Sequence, residues 1–406
     1  GRTIMVVNVL RGGDQIGGSI IEVISDHAKI ILDAGQNLEE KAPPEVPEIE
    51  GLFKGTPSYD AVIISHYHAD HTGLLNNVLP GIPIYMSDKT FQLYRISMER
   101  AQISVCFQPV LFNKELSDRA SFQIKDLKIT PYLCDHSAFD SHMFLLEDQK
   151  EKILYTGDFR SNGRKSFPAL IARLPSKVDK LIIEGTTLTR KNVKDHQTEQ
   201  EIQKEFEETM QGSRPVFILT SSMNIDRIVT IYKAAIKTGR LLAVDSYLAD
   251  ILTAAGGNIP HPGPFKNLKV YQMGSGEEEH RRLMEYKKNC ISRAALIQKK
   301  FAMCIRSSRL MKNYLRKLAG LMDLNGSTLI YSLWKVYQSQ PVMKEFLEFC
   351  ESLGIQIRTI HTSGHADRSA LKAIIAHVQP DEIIPVHTLD PKSLKNMKSF
   401  PKESID

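Results

Sequence analysis

The sequence predicts a layered α/β protein into which a second α/β domain is inserted, and three observations lead to this expectation. The first part of the chain reads as short strands joined by tight turns, with a glycine-rich loop at 11–18. After residue 190 the pattern changes to helices that alternate with strands, as in a parallel α/β unit. The late strands end in His361 and His387, which indicates a return to the first domain. We therefore expect a core at 1–188 and 354–406, interrupted by an inserted domain at 189–353.

The spacing of apolar residues predicts the individual elements. In the first part we expect strands at 5–10, 19–23, 29–32, 61–64, 129–133, 143–147, 153–156 and 181–183, and one helix at 72–78. In the inserted part we expect helices at 198–210, 225–237, 247–254 and 340–354, and strands at 215–220, 241–244 and 328–331. The returning segment reads as strand 356–360, helix 369–378 and strand 382–386.

Composition and cysteine usage exclude two broad classes of protein. The chain has 406 residues, 42% hydrophobic and 24% charged, as in an ordinary soluble globular protein. Its five cysteines are scattered and odd in number, which argues against a disulfide framework and favours a reducing cytoplasm. No apolar run approaches the roughly 20 residues that a membrane span needs, so we expect no membrane association.

The positive charge is concentrated in the segment 281–317, which we call the basic segment. It contains twelve Lys or Arg and one acid, a local charge of +11 that leaves −6 for the rest of the chain. Aromatic residues interleave with these cations, as in a groove that follows a phosphate backbone and stacks bases, namely Tyr286, Phe301 and Tyr314. The candidate substrate-binding residues are Lys299, Lys300, Arg306 and Arg309. The alternative is a pair of amphipathic helices whose basic faces are merely solvated.

The segment 66–71 places three histidines and an aspartate directly after an apolar strand. In an extended chain His66, His68 and Asp70 share one face, while His71 can turn to a second position, so two metal ions are suggested. Imidazole and carboxylate ligands suit zinc or a similar divalent ion. The alternative is a polar turn whose histidines cap backbone groups, but burying so many titratable groups without a cation is costly.

Further ionisable residues follow other predicted strands, and they complete a pattern of motifs. They are Asp33, His136, Asp158, Glu184, His365 and His387. With the segment 66–71 they resemble the motifs of the metallo-β-lactamase fold and, more narrowly, of its β-CASP branch of nucleic-acid-processing enzymes. The resemblance covers nearly the whole chain and is strongest to the bacterial ribonuclease J family. It implies an αββα sandwich with an inserted α/β β-CASP domain.

The resemblance also implies a role for each of these residues. One zinc ion would be held by His66, His68 and His136, and a second by Asp70, His71 and His387. Asp158 would bridge the two ions, and Asp33 would accept a hydrogen bond that orients a ligand. His365 would act as the general acid that protonates the leaving oxygen, with Glu184 as its orienting partner. Manganese is a possible substitute for zinc.

The implied activity is that of a dizinc phosphodiesterase that hydrolyses single-stranded RNA through a metal-activated hydroxide, as an endonuclease, a 5′-exonuclease or both. One alternative is a DNA nuclease of the Artemis type, although the last motif of that branch tends to be apolar whereas this chain has His387. A small-molecule metallo-hydrolase would leave the inserted domain unexplained. A non-catalytic nucleic-acid-binding subunit would not need the complete ligand set.

Several assignments stay open at the level of the sequence. His142 lies six residues after His136 and competes with it as a ligand. His361 could contact a substrate phosphate or pair with a backbone carbonyl, and the backbone N–H groups of Ser363 and Gly364 could bind a phosphate. Only 19 residues follow His387, so we expect no separate C-terminal domain of the kind that many relatives carry. The sequence does not decide whether the protein is a homo-oligomer.

Overall fold

The computed structural model describes residues 4–113, 120–191 and 194–399, which belong to two compact units. The first unit consists of Gly1–His196 and Gly364–Asp406, and the second consists of Gln197–Ser363. The predicted domain limits at 188 and 353 lie eight and ten residues before the limits of these units.

The order of the elements changes at the insertion, from mostly strands before it to alternating helices and strands within it. Before it come β1 (Val6–Arg11), β2 (Ile20–Ile24), β3 (Lys29–Ala34), β4 (Ala61–Ile63), α1 (Ala69–Thr72), β5 (Ile84–Ser87), α2 (Asp88–Arg100), β6 (Val110–Phe112), β7 (Phe122–Ile124), β8 (Leu127–Cys134), β9 (Ser141–Glu147), β10 (Lys152–Tyr155), α3 (Phe167–Arg173) and β11 (Lys180–Glu184). The insertion contains α4 (Glu199–Thr209), β12 (Val216–Leu219), α5 (Ile225–Lys237), β13 (Leu241–Val244), α6 (Ser246–Ala255), β14 (Leu268–Val270), α7 (Glu277–Glu285), α8 (Arg293–Leu296), β15 (Phe301–Ile305), α9 (Arg309–Ala319), β16 (Thr328–Tyr331), α10 (Pro341–Ser352) and β17 (Gln356–Thr359). The chain ends with α11 (Arg368–Val378), β18 (Glu382–Val386) and α12 (Pro391–Asn396).

The first unit is a sandwich of two sheets with helices on its outer faces. Within the described residues one sheet has the order β1-β2-β3-β4-β5-β6 and the other has the order β18-β11-β10-β9-β8-β7. Apolar side chains from both sheets form one shared core, which includes Ile30, Ile63, Phe144 and Ile153. A second core lies between the second sheet and α3, α11 and α12, and α2 contacts β5 and β6 of the first sheet. This arrangement confirms the predicted αββα sandwich.

The returning segment completes the second sheet of the first unit. β18 pairs in parallel with β11, and the register places Val386 opposite Glu184. The pairing brings the residue after β18, His387, beside the end of β11, although the two strands are about two hundred residues apart in the chain. The chain thus returns to the first unit through β18, whereas the strand expected at 356–360 in the returning segment is β17, which pairs with β16 in the second unit.

The second unit is a parallel sheet in the order β14-β13-β15-β12-β16-β17 among the described residues. Two apolar cores cover its faces, one with residues of α4, α5 and α6 and the other with residues of α9 and α10. An all-parallel sheet needs both faces covered because the helical crossovers lie on them. The predicted parallel α/β insertion is confirmed.

Local differences from the prediction are few and have local causes. The expected helix at 72–78 is wrong, because α1 begins earlier and ends at Thr72, and a short 3-10 turn follows at Leu75–Asn77. Helix α2 was not predicted, although Ser87 caps it by accepting a hydrogen bond from the backbone N–H of Thr90. In the described parts of the chain, every helix is too short or too polar to cross a membrane.

Candidate metal centre

The predicted metal ligands lie together in the first unit, at the ends of strands from both sheets. They follow β4, lie on α1, or follow β8, β10 and β18, and they are His66, His68, Asp70, His71, His136, Asp158 and His387. Because the two sheets pack face to face, the loops after these strands meet at one end of the shared core. The side chains divide into two overlapping groups.

The first group consists of the imidazoles of His66, His68 and His136, whose candidate ligand atoms all lie within 4.8 Å of one another. Their ring centroids are 4.8–5.1 Å apart, and each pair of rings meets edge to face. The Nε2 atoms of His66 and His136 are buried and have no hydrogen-bond partner among the described residues. Buried nitrogen atoms that converge without partners fit a cation with imidazole ligands.

The second group consists of Asp70, His71, Asp158 and His387, again within 4.8 Å. His71 Nε2 lies 2.9 Å from Asp158 Oδ2, and His387 Nε2 lies 2.9 Å from Asp70 Oδ2. The expectation that Asp70 shares a face with His66 is wrong. The chain is extended only to His68, and the helical turn of α1 carries Asp70 to the side of His71.

Asp158 stands between the two groups. Its Oδ2 atom lies 3.6 Å from Nε2 of His66 and 3.7 Å from Nε2 of His136, and 3.5 Å from Nε2 of His387. Its Oδ1 atom is buried and has no hydrogen-bond partner among the described residues. One carboxylate in reach of both groups is the arrangement that a bridging ligand requires.

In four of the five imidazoles the Nδ1 atom is held by a neighbour, which turns Nε2 toward the centre of the site. The Nδ1 contacts are those of His66 with Ser65 Oγ, His71 with Asp33 Oδ2, His136 with the Gly364 carbonyl, and His387 with Thr186 Oγ1. Such contacts orient metal ligands and select their tautomers. The role of Asp33 was predicted from the sequence, but those of Ser65 and Thr186 were not, since their only signal is that each lies within two residues of a motif residue.

The carboxylate of Asp33 accepts several hydrogen bonds beside the two ligand groups. Its Oδ1 atom accepts a 2.8 Å bond from the backbone N–H of Ser65, and its Oδ2 atom accepts bonds from Ser65 Oγ and from the hydroxyl of Tyr155. The backbone of Asp33 has φ 61°, and that of His387 has φ 49°. Left-handed backbone at residues other than glycine costs on the order of 1–3 kcal/mol and is found where a site needs it.

The electrostatic environment suits the two groups to divalent cations. Burial and the neighbouring imidazoles lower the pKa of His66 and His136 well below the usual value, and burial lowers the pKa of His68 to about 4. These three rings are therefore neutral at pH 7, the form that binds a metal. Burial raises the pKa of Asp158, but His387 and His71 outweigh it and lower the pKa, so this carboxylate stays ionised. The residues present fit a pair of divalent ions with nitrogen and oxygen ligands.

His365 and Glu184 lie at the border of the metal centre. His365 Nδ1 is 3.1 Å from Glu184 Oε2, and its ring is 19% exposed while Glu184 is fully buried. Glu184 also accepts hydrogen bonds from the backbone N–H of Phe159 at 2.9 Å and from Thr186 Oγ1 at 2.6 Å. The ring of His365 lies edge-on to that of His136 at 4.8 Å between centroids. Candidate ligand atoms of both residues also lie within 4.8 Å of Asp158 and His387.

The structure separates the histidines that the sequence left in competition. His136 is part of the first group, whereas His142 lies on β9 with its Nε2 atom 2.7 Å from Asn113 Nδ2 and its ring against Phe112. His361 belongs to the second unit, where its Nδ1 atom accepts a 2.9 Å hydrogen bond from the buried guanidinium of Arg227. The sequence did not predict this partner.

Gly364 and Ser363 lie on either side of the limit between the units. The carbonyl of Gly364 receives the hydrogen bond of His136, and a Cβ atom at position 364 would lie 2.4 Å from Ser137 Oγ. Glycine is therefore required at this position for a close approach. The binding of a phosphate by the backbone of Ser363 and Gly364 stays a prediction.

The four candidate cations of the basic segment have different environments in the second unit. Lys299 and Arg309 are exposed. Lys300 Nζ donates a 2.6 Å hydrogen bond to the carbonyl of Thr238. Arg306 forms a two-point ion pair with Asp245, with Nη2 3.1 Å from Oδ1, and its guanidinium lies 4.6 Å from the ring centre of Tyr247. Lys300 and Arg306 thus have structural partners within the unit.

The expected stacking surface of the basic segment is wrong. Tyr286, Phe301 and Tyr314 are 7%, 1% and 3% exposed and belong to the apolar cores of the second unit. The reason is that β15 runs through the middle of the segment as a fully buried strand, and α9 packs its apolar face against the same sheet. The segment is a piece of the domain core with a basic outer surface.

Comparison with known proteins agrees with this architecture. Residues 28–216 match the family model described as a beta-lactamase superfamily domain. Residues 353–398 match the model described as a Zn-dependent metallo-hydrolase RNA specificity domain. The first match contains most of the candidate ligands, and the second contains His365 and His387.

Curated relatives match over long stretches at low identity. Ribonuclease J of Thermus thermophilus is 28% identical over 257 residues, which are 58% of this chain and 44% of that protein. Ribonuclease J 1 of Streptococcus pyogenes is 21% identical over 94% of this chain and 68% of its own length. Endoribonuclease ysh1 of Emericella nidulans is 26% identical over 44% of this chain and 22% of its own length. The chain spans 44–63% of the length of three of the curated relatives that it matches.

A solved structure shares the fold over almost the full chain. It is a protein of unknown function from Enterococcus faecalis V583, with a TM-score of 0.77 and 21% identity, and the match covers 96% of this chain and 95% of that one. The matching domain models, the sandwich with its inserted parallel sheet and the convergent ligands lead to one conclusion. The chain contains a beta-lactamase superfamily domain at 28–216 and resembles ribonuclease J and the other β-CASP nucleases of the metallo-β-lactamase fold.

Proposed function

We propose that this protein is a dizinc ribonuclease that hydrolyses phosphodiester bonds of single-stranded RNA. The observation that carries the proposal is the pair of ligand groups around Asp158, three neutral imidazoles on one side and two further imidazoles with Asp70 on the other. Two divalent ions bound there supply Lewis acidity that activates water and neutralises charge on the phosphoryl oxygens. Zinc is favoured by the ligand types, and manganese is the alternative.

The remaining residues have distinct tasks in this proposal. His365, partly exposed at the border of the centre, donates a proton to the leaving oxygen, and Glu184 holds its Nδ1 atom so that Nε2 carries the transferable proton. Asp33 holds His71, and Thr186 holds His387, so that both ligands keep one orientation. Gly364 holds His136 through its carbonyl.

The choice of RNA rests on the similarity to proteins named ribonuclease J and endoribonuclease, and on the match to a domain described by RNA specificity. The +11 charge of the basic segment supports a polyanionic substrate. A DNA nuclease of the Artemis type has the same chemistry, so the test includes DNA of the same sequence.

The test is to incubate purified protein with Zn²⁺ or Mn²⁺ and four substrates of one sequence: RNA with a 5′-monophosphate, RNA with a 5′-triphosphate, circular RNA, and single-stranded DNA. We expect cleavage of RNA that stops when a chelator removes the metal. Cleavage of the circular RNA identifies an endonuclease. Cleavage of only the RNA with a 5′-monophosphate identifies a 5′-exonuclease. The proposal is contradicted if DNA is cleaved while RNA stays intact, or if RNA stays intact under all conditions.

We expect the exposed cations of the basic segment to contribute to RNA binding. Arg309 lies with Lys312 and Arg316 along a cavity of about 510 Å³ beside α9. Replacing Lys299 and Arg309 by alanine should weaken binding and flatten its salt dependence by up to about 0.7 per lost phosphate contact. The measurement is a binding titration across a salt series in a His365→Ala background, which prevents turnover.

A matched pair of substitutions controls for net charge. Replacing Lys300 and Arg306 by alanine also removes two positive charges, but these side chains bind Thr238 and Asp245. This variant should lower the melting temperature and leave the salt slope close to that of the parent. If the Lys299 and Arg309 variant keeps the parental slope, the basic segment is a solvated surface and takes no part in substrate binding.

A further inference from the structure

A buried ion pair connects the two loops that carry His136 and Asp158. Asp135 precedes His136 at the end of β8, and Arg160 follows Asp158 after the end of β10. Arg160 Nε donates a 2.6 Å hydrogen bond to Asp135 Oδ1, and the backbone N–H of Arg160 donates a 2.7 Å bond to the carbonyl of Asp135. The two side chains are 0% and 3% exposed.

The surroundings of Asp135 are shaped to hold this carboxylate. Its Oδ2 atom accepts a 2.8 Å hydrogen bond from the backbone N–H of Lys165. A Cβ atom at Gly163 would lie 2.0 Å from Asp135 Oδ1, so only glycine lets the loop approach this closely. Asp135 therefore binds the loop after β10 at three points, through Arg160 Nε and the backbone N–H groups of Arg160 and Lys165.

Sheet pairing does not connect these two loops directly. In the sheet order β9 lies between β8 and β10. The ladder of β8 ends at Cys134, and that of β10 ends at Tyr155, before either ligand is reached. On its other side the ion pair lines a cavity of about 390 Å³, so close packing does not confine the loops there.

We infer that Asp135 and Arg160 are positioning residues that set the separation of His136 and Asp158, and thereby the affinity of the first ligand group for its metal ion. The distance that they control is the 3.7 Å between His136 Nε2 and Asp158 Oδ2. A ligand of the first group and the carboxylate between the groups must keep a fixed spacing if one ion is to bind both. This inference rests on the metal centre of the proposed function and not on its substrate.

The test measures metal binding without any RNA. Zinc affinity is determined by competition with a chromophoric chelator, and Co²⁺ binding is followed through its visible absorption spectrum, which reports the coordination of the ion. We expect Asp135→Asn to weaken binding of one of the two ions by about 10–100-fold, the usual effect of losing a residue that orients ligands. The Co²⁺ spectrum of that ion should change while that of the second ion is retained.

Two further variants distinguish a positioning role from a merely structural one. Asp135→Asn combined with Arg160→Met removes both charges of this pair, so neither is left buried without the other. We expect this double variant to fold and to keep the metal defect. The matched control is Glu151→Gln combined with Lys180→Met, which removes a nearly buried ion pair of the same unit at 2.9 Å whose side chains also bond to the backbone of Met5.

The outcomes are decisive in both directions. A double variant that binds both ions as tightly as the parent overturns the inference, as does a control variant with an equal loss of affinity. A selective defect in one ion with an intact control supports it. Because RNA is absent, a failure of the proposed ribonuclease activity does not affect this result.

Discussion

Replacing Asp158 by alanine is expected to abolish RNA cleavage and to remove metal from both ligand groups. Asp158 Oδ2 lies within 3.7 Å of ring nitrogens from His66, His71, His136 and His387, so its loss affects both groups at once. Cations supply several kcal/mol of transition-state stabilisation in such sites, so the rate should fall by ~10³-fold or more. Elemental analysis of the purified variant and of the parent, which we expect to contain two ions per chain, gives the measurement.

A second substitution at Asp158 tests the electrostatic account of the site. The carboxylate of Asp158 raises the pKa of both His71 and His387 against the effect of burial. Asp158→Asn keeps the shape of the side chain and removes its charge, so it separates the need for charge from the need for volume. An alanine variant that retains two ions and full activity would show that Asp158 does not bridge them.

Replacing His365 by alanine is expected to leave both metal ions in place and to reduce turnover by ~10²–10⁴-fold, the usual contribution of a general acid. His365 lies at the border of the centre with a partly exposed ring, and other residues make the Nδ1 contacts that orient four of the candidate histidine ligands. Glu184→Gln should show a weaker form of the same defect, because it keeps a hydrogen-bond acceptor at His365 but loses the charge. RNA binding should survive in both variants.

The assay combines single-turnover cleavage with elemental analysis on the same preparations. The alternative to a general acid is a ligand role, since His365 and Glu184 also lie within ligand distance of Asp158 and His387. Loss of a metal ion from His365→Ala, or a rate equal to that of the parent, would contradict proton donation. A kcat defect with an unchanged metal content would support it.

Much of the site follows from local sequence alone. A strand that ends in histidine, or in glycine followed by aspartate, marks its ligand without any knowledge of the fold, because strand ends present side chains where sites are built. This holds for His66 and Asp158. The same reasoning failed at Asp70, where a single helical turn replaced the extended chain that alternation assumes. Periodicity cannot detect a turn of four residues, because the pattern needs a longer window.

The basic segment shows the opposite situation, in which composition was informative and its interpretation was wrong in part. Its charge is plain from the sequence, but whether a cation faces solvent or a partner depends on residues far along the chain. Arg306 pairs with Asp245, 61 residues away, and Lys300 with Thr238, 62 residues away. Of the segment's aromatic residues, Phe301 is in the core because β15 is buried on both faces, and Tyr314 because it lies on the buried face of α9.

The sequence by itself determined the ligand types, their strand-end positions, the α/β architecture and the inserted domain, since each depends on short-range patterns of apolar and ionisable residues. Only the tertiary structure decided how the ligands divide into two groups, which atoms orient them, and which cations are already paired. His387 reaches Asp70 across 317 residues, and His136 reaches Gly364 across 228. Contacts of that range are set by sheet order and by the packing of one sheet on another, which no local pattern of residues contains.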